Sequence, residues 1–451
     1  MTTRLDTEIL DQVLSRLDRA ERRIPGRPAN EHVYPVHTLR IAADRFRHDS
    51  VPRAGARGLR LLQTFAPDSV VLAQALRLPG YEALPTDPAR VDSLLSRLES
   101  GDVVHPAAVL AHEVYTRVHR QLTRLPVQDV RVDFHTAFGP RSDEEEDAAA
   151  AAAATEFAIT LREGMPCPRV GIRIKPLTGS EAARALRTLD LFVSTLLDRG
   201  PGFPETLVVS VPLVVHPDQV AAIVLVLGTL ESRLGLVRGT LRLELGIDDP
   251  SGLFDEGGGG QLAGLISAAG GRCASIRLDP AAIARSLGSR DLTSVEPVRD
   301  QARLWLAPTG VPLSYGASPD LPHGGRRDGD RAAAVHAAWR AHADAVSRNL
   351  RQGYTWGWDH DAGQIPARLA AVTVYFRQLL PTLRTELAYA LEATRWDDPP
   401  YRFALGQRLL DEVLVGLDAG ALSPDDLSEL GLEVEVLSTR SFRIAIERRR
   451  A

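Results

Sequence analysis

The stretch Thr206–Ile247, TLVVSVPLVVHPDQVAAIVLVLGTLESRLGLVRGTLRLELGI, reads as strand, helix, strand. Thr206–Pro212 is β-branched and almost continuously apolar, as strands covered on both faces tend to be. Pro217–Leu234 carries the spacing of a helix, and Leu241–Ile247 is the next β-rich run. Outward from this unit the alternation continues in both directions. Further β-rich runs lie at His37–Ala43, Asp129–Phe134, Arg169–Pro176, Cys273–Leu278, Arg303–Ala307 and Gly353–Asp359, which makes eight in all. Helical stretches separate most of them, at Asp143–Phe157, Ser180–Leu197, Gln261–Ala269 and Arg331–Arg351. The first of these is acidic and then poly-alanine, which suits a helix with acids at its positive end. Eight strand–helix alternations predict an α/β protein, a (β/α)8 barrel of the TIM type. A doubly wound open sheet is the rival, and it would want a Gly-rich phosphate turn after an early strand. The glycine run Gly257–Gly260 instead follows Phe254–Glu256 in an acidic loop, and Asp320–Asp330 also reads as a loop.

The rest of the chain extends this barrel. Leu5–Leu17 has the spacing of an amphipathic helix, and Ile24–Glu31 reads as a linker. The gap Asp44–Gln128 is too long for one crossover and holds helical patterns around Ser69–Leu76, Pro88–Leu98 and Ala107–Leu122. Helices follow from Pro366 to Leu430, and Gly431–Ile446 suggests a short hairpin. The expected organisation is an N-terminal helix and linker over 1–33, a barrel over 34–365 with a helical insertion at 45–128, and a C-terminal helical extension over 366–451.

Composition narrows the function classes. The 451 residues carry 53 basic and 58 acidic side chains, a net charge of −5, with 44% hydrophobic residues. No basic footprint for nucleic acid is present. Two cysteines, Cys167 and Cys273, are too few for a disulfide scaffold or a thiolate-rich metal site. The longest apolar stretch, Val220–Leu230, is half of the roughly 20 residues a membrane span needs. The first residues have no apolar signal core, so the expectation is a cytoplasmic protein with neither nucleic-acid nor membrane partners. The chain has a single lysine, Lys175, and hence one side-chain amine for any Schiff base.

Reacting groups of such barrels project from the C-terminal ends of the strands. The second run ends on Asp133, His135 and Thr136, and the third on Arg173 and Lys175. The fifth ends on Glu244, Asp248 and Asp249, and the sixth on Arg277 and Asp279. The eighth ends on Trp358, Asp359, His360, Asp361 and Gln364. Arg173 and Lys175 are two apart on the strand, so both face the same side, where two cations ask for an anion. That anion is either a ligand or a protein carboxylate such as Asp133. Asp248–Asp249–Pro250 and Asp279–Pro280 suit helix N-caps as well as chemistry. His135 suits a buried structural histidine as well as an acid–base group.

Taken together, several segments resemble the HpcH/HpaI aldolase and citrate lyase β-subunit family, which is related to malate synthase. They are PVHTLRIAADRF (Pro35–Phe46), RVDFHTAFGPRSDEEEDAA (Arg131–Ala149), GIRIKPLTG (Gly171–Gly179), HPDQVAAIVLVLGTLE (His216–Glu231), LRLELGIDDP (Leu241–Pro250), AAGGRCASI (Ala268–Ile276) and GYTWGWDHDAGQIPAR (Gly353–Arg368). The resemblance is to a divergent actinobacterial branch and spans Tyr34 to Leu430. It implies a TIM barrel that forms homo-oligomers and a carbon–carbon lyase acting on a small oxo acid or acyl thioester through an enolate. It also implies Mg²⁺ or Mn²⁺ held by acids after the fifth and sixth strands, which here means Asp248 and Asp279. The expected second acid itself falls near Ala282. The candidate catalytic set is Arg173, which the resemblance implies, with His135 and His360, which the strand ends offer as an acid–base pair. Arg173 and Lys175, which fit the third strand of the family, are the candidate binding residues together with Asp133, Trp358 and Gln364 from the other strand ends. The acid pair of the branch falls on His135 and Thr136, and a frequent lysine falls on Leu213. These departures leave two alternatives, a non-catalytic anion-binding barrel and a metal-independent enzyme using His135 or His360.

Overall fold

A computed structural model describes residues 35–164, 167–316, 318–322, 328–393, 400–428, 437 and 439–450, together with 9, 11–13 and 15–16. Its eight strands are β1 (His37–Ala42), β2 (Asp129–Asp133), β3 (Arg169–Arg173), β4 (Leu207–Val211), β5 (Leu241–Ile247), β6 (Cys273–Leu278), β7 (Leu313–Tyr315) and β8 (Gly357–Asp359). All ladders are parallel, neighbours follow chain order, and β8 returns to pair with β1. Tyr315 N donates to Trp356 O at 3.1 Å, so one hydrogen bond joins β7 to the approach of β8 and nearly closes the ring. This is the (β/α)8 barrel that the alternation predicts.

The strands alternate sharply. Val130, Val132, Ile172, Val209, Leu243, Leu245 and Ile276 are buried in one apolar core with the surrounding helices. Burying each such side chain contributes roughly 1.5–3 kcal/mol. Their neighbours face the barrel axis, and there the lining is polar. Thr38 Oγ1 donates to Asp129 Oδ2 at 2.7 Å, Arg131 pairs with Asp129, and Ser210 and Ser275 both donate to Glu244. Charges on distant strands meet there, as when Arg131 of β2 helps to hold the Glu244 carboxyl of β5 below its ordinary range against the effect of burial. Barrels of this type usually fill the axis with Val, Ile and Leu. Here Gly171 supplies room for the charged lining, since a Cβ there would lie 2.1 Å from Val208 O and 3.1 Å from Arg131 Cδ.

Three expectations are corrected. Arg303–Ala307 is not the seventh strand; all but its last residue belong to the helix Glu296–Leu306, and Leu313–Tyr315 takes the strand's place. Its run of Leu304, Trp305, Leu306 and Ala307 reads as a short apolar strand, yet Arg299, Ala302 and Leu306 are the buried set, which is helical spacing, and Leu304 is 69% exposed. The hairpin expected over Gly431–Ile446 is replaced at its end by the helix Phe442–Arg450, while residues 431–436 and 438 lie outside the described residues. The insertion holds a further helix, Ser50–Phe65, whose glycines hide it from a sequence reading. Gly55 is needed there for close packing, because a Cβ would lie 2.3 Å from Leu122 O.

Of the leading helix expected over Leu5–Leu17, Ile9, Asp11, Gln12, Val13, Ser15 and Arg16 are helical; the others and the linker Ile24–Glu31 lie outside the described residues. The C-terminal helix Ile365–Ala393 packs onto the insertion, and Pro400–Asp418 packs onto Ile365–Ala393. Gln128, directly before β2, accepts from Val36 N at 2.7 Å and donates to Asp418 O at 2.7 Å. That places the end of the tail helix at the base of the barrel, away from the C-terminal ends of the strands. Among the described residues, no helix is long and apolar enough to cross a membrane.

Candidate active site at the barrel mouth

Strand β2 ends on Asp133, whose Oδ1 accepts from His135 N at 2.7 Å and fixes the turn. Its Oδ2 lies 3.3 Å from Arg173 Nη1 at the end of β3. The same nitrogen donates to Thr136 Oγ1 at 2.7 Å, and Thr136 Oγ1 is 3.2 Å from His135 Nδ1. Asp133, Arg173, Thr136 and His135 therefore form one connected chain from buried strand to exposed rim. The His135 imidazolium is pushed down to about 4, by burial first and then by Arg173, with Asp133 and Asp248 opposing. The ring is neutral near pH 7.

On the far side of the axis, Arg277 of β6 is fully buried. Its Nη2 lies 2.6 Å and 2.9 Å from the two Asp248 oxygens, and its Nη1 lies 3.5 Å from Asp279 Oδ2. Burial by itself raises the Asp248 carboxyl, and Arg277 reverses this, so the group stays ionised. Asp248 Oδ2 also accepts from Leu213 N at 3.0 Å. Leu213 sits at φ +53, a left-handed conformation that costs a non-glycine residue about 1 kcal/mol or more. Asp279 Oδ1 caps the helix Pro280–Ser286 through Ala282 N at 3.1 Å.

Between the two halves stand Arg40 of β1 and Trp358 of β8. The Arg40 guanidinium lies 4.7 Å from the centre of the Trp358 ring and that of Arg277 5.4 Å, so two cations share one indole. Burial, then Arg173 and Arg277, lower the Arg40 guanidinium to about 9, with Asp133 and Asp279 opposing. At the exposed rim, His360 is held below its ordinary value by the surrounding protein and by Arg40, with Asp279 opposing. Trp358 Nε1, Arg173 Nε, Arg277 Nε and Arg277 Nη1 are buried with no hydrogen-bond partner among the described residues. The mouth thus holds more donors than acceptors. Buried donors are normally paired, and an anionic or oxo oxygen would pair these.

The mouth brings together Asp133, His135, Arg173, Asp248, Asp279, Trp358 and His360 of the expected set. Lys175 departs from it. The β3 ladder ends at Arg173, and Lys175 Nζ reaches Glu146 Oε2 at 2.7 Å on the helix Asp143–Glu163, not Asp133. Gln364 braces the rim from below, accepting from His360 N at 2.9 Å and donating to Ser318 O and Asp320 O. Arg40 and Arg277 complete the mouth. The signal for both is a cation at an inward-facing position of an otherwise apolar or small-residue strand, two residues after Thr38 and Ser275.

A hard divalent ion takes about six oxygen ligands. Asp248 and Asp279, the acids expected to hold Mg²⁺ or Mn²⁺, are instead engaged by Arg277 and by backbone N–H groups. Among the described residues, no three His, Cys, Asp or Glu side chains gather in a metal-binding group. The donor set as it stands does not fit the ion.

Fold and mouth define an α/β-barrel protein whose charged axis opens at the C-terminal ends of its strands. The chain belongs to the family described as a domain of unknown function, DUF6986, whose model matches residues 14–445. None of the curated proteins matches it. Among solved structures, malate synthase from Haloferax volcanii in its native form with glyoxylate is similar, at 13% identity and a TM-score of 0.42, over 72% of this chain and 89% of that one. The magnesium/glyoxylate complex of the same enzyme is similar at 12% identity and a TM-score of 0.40, over 72% and 89%. A citrate synthase variant is similar at 16% identity and a TM-score of 0.30, over 63% of this chain and 98% of that one.

Proposed function

We propose that the chain is a carbon–carbon lyase or condensing enzyme acting on a small oxo acid or acyl thioester through an enolate. The observation that carries the reading is the convergence of Arg40, Arg173 and Arg277 on one mouth, with buried donors left over. Such a site favours a ligand that gains negative charge as it reacts, because fixed donors in a dry site stabilise developing charge without reorganising. The resemblance of the strand ends to the aldolase and citrate lyase β-subunit family points to the same chemistry.

In this reading Arg173, held in place by Asp133 and Thr136, takes the ligand carboxylate or carbonyl oxygen through its unpartnered Nε. Thr136 accepts from Arg173 and donates its own proton to His135 Nδ1, which leaves the neutral ring's proton on Nε2 as a donor to the ligand. His360, also held neutral, is the base that takes a proton from the α-carbon. The C–H electron pair then forms the enolate double bond, and the carbonyl π pair moves onto the oxygen among the guanidiniums.

Exchange of the α-protons of pyruvate and of an acetyl thioester in D2O, followed by NMR, tests this whatever the second substrate is. The wild type exchanges one of them above the solution rate, and Arg173→Ala loses the exchange. Thermal stabilisation by these compounds with no exchange and no bond cleavage would assign the mouth to anion binding alone.

A further inference from the structure

We propose that the Arg277 guanidinium is a built-in cation standing between the β5 and β6 acids in place of a divalent metal, and that it works directly on the ligand's oxo oxygen. The inference deepens the reading of the mouth as an oxo-acid or thioester site and rests on it.

Asp248 follows β5 and Asp279 follows β6, and Arg277 reaches both. Nη2 lies 2.6 Å and 2.9 Å from the Asp248 oxygens, and Nη1 lies 3.5 Å from Asp279 Oδ2. The side chain is 1% exposed, so these carboxylates meet a cation that water scarcely reaches. Desolvating a guanidinium is costly unless carboxylates face it, and here two do. The backbone makes space for it, since a Cβ at Gly246 would lie 2.5 Å from Arg277 Nη2. The Trp358 ring supports it at 5.4 Å. Every oxygen that a metal would bind on Asp248 is already taken, one of them twice, by Arg277 and by Leu213 N.

The cation nevertheless keeps donor capacity beyond Asp248, since Nη1 meets Asp279 only as an ion pair at 3.5 Å. Nε and Nη1 have no hydrogen-bond partner among the described residues. A guanidinium is always charged and presents planar, paired N–H groups that match carboxylate-like oxygens. When a base removes the α-proton, the C–H bond breaks and its electron pair becomes the carbon–carbon double bond of the enolate. The carbonyl π pair moves to oxygen, and that oxygen takes hydrogen bonds from Arg277. No electron leaves the ligand, and the proton stays on the base. The barrel thereby stabilises an enolate with a side chain that is always present.

Binding of Mn²⁺ alone, followed by electron paramagnetic resonance and by thermal unfolding, tests the inference independently of turnover. The wild type is expected to bind no Mn²⁺ at the mouth, and its unfolding temperature to be unchanged by Mn²⁺, Mg²⁺ or chelator. Arg277→Ala removes the positive charge from between the acids and is expected to bind Mn²⁺ at least about tenfold tighter than the wild type. Asp248→Asn in the same background abolishes the gain. Arg277→Met, which keeps the bulk of the stem, serves if Arg277→Ala does not fold. One Mn²⁺ per wild-type chain, lost in Asp248→Asn, would overturn the inference, and so would folded Arg277 variants that gain no Mn²⁺. Failure of the α-proton exchange, with these Mn²⁺ results as expected, would count against the oxo-acid reading and leave the assignment of Arg277 as the cation between the acids.

Discussion

Lys175, the single lysine, places Nζ 2.7 Å from Oε2 of Glu146, a carboxylate with no exposed surface. Glu146 also lies 3.5 Å from Arg184 Nε and accepts from Thr188 Oγ1, so it is the hub of a buried network that ties β3 to two helices. Removing Lys175 takes from this buried carboxylate the only partner of its Oε2 among the described residues, while Arg184 and Thr188 still face Oε1. Lys175→Ala should therefore cost about 3 kcal/mol in urea unfolding. Lys175→Arg should keep most of the stability and leave pyruvate binding intact. Borohydride should trap no carbonyl ligand on the wild type, and an adduct seen on Lys175 by mass spectrometry would refute this placement.

His37, His342, Arg368 and Asp359 form a second buried cluster, between β1, β8 and the outer helices. Asp359 Oδ1 lies 3.1 Å from His342 Nε2 and 2.8 Å from Arg368 Nε. Burial pushes His37 from 6.5 down to about 4, against the pull of Asp359, and burial lowers His342 as well. Between those values the unfolded chain binds a proton at His37 that the folded chain refuses, so stability rises with pH through this window. Asp359 is held well below its ordinary value, chiefly by Arg368 and His342 against the effect of burial. Its own contribution is lost only as pH falls below about 4. Urea midpoints should thus fall as pH is lowered from 6.5 towards 4, and His37→Asn should flatten the slope. An unchanged slope in His37→Asn would contradict this account.

Gly171 and Gly246 are both made necessary by the charged axis, but for different reasons. A Cβ at Gly171 would lie 2.1 Å from backbone Val208 O, which can yield only if β3 and β4 move apart. At Gly246 the nearest atom, at 2.5 Å, is the end of the Arg277 side chain. Overpacking of a tight interior costs roughly 1–3 kcal/mol. Gly171→Ala should lie at or above the top of that range. Gly246→Ala should cost less in denaturant titration, while it disturbs Arg277 and lowers α-proton exchange. Equal stability losses with full exchange in Gly246→Ala would contradict the placement of Arg277.

Gln364 makes three hydrogen bonds with no exposed surface, one of them to His360 N. Gln364→Ala leaves buried groups unsatisfied, at about 1–3 kcal/mol. If His360 is the base, the variant should also lose kcat for α-proton exchange with little change in KM. A stability loss with unchanged kcat would confine Gln364 to a structural role.

Periodicity is a local property, and most of the barrel can be read from it. Leu241–Ile247, Cys273–Leu278 and Pro217–Leu234 have the same bounds in the sequence reading and in the structure, because the two strands are short β-rich runs and the helix has its apolar residues at helical spacing behind a Pro at its start. Arg303–Ala307 misleads because a short apolar run fits a buried strand and a helix segment equally well, and periodicity cannot separate them over five residues. Ser50–Phe65 is hidden because Gly55 answers to Leu122, far along the chain. The strand-end rule likewise brings Asp133, His135, Arg173, Asp248, Asp279 and His360 to one mouth. Which cation meets which acid is a different matter. Arg277 meets Asp248 from 29 residues away, and Lys175 turns from Arg173 to Glu146 because its ladder has already ended. Those pairings follow from how strands rotate around a closed axis, and no local pattern of residues encodes that rotation.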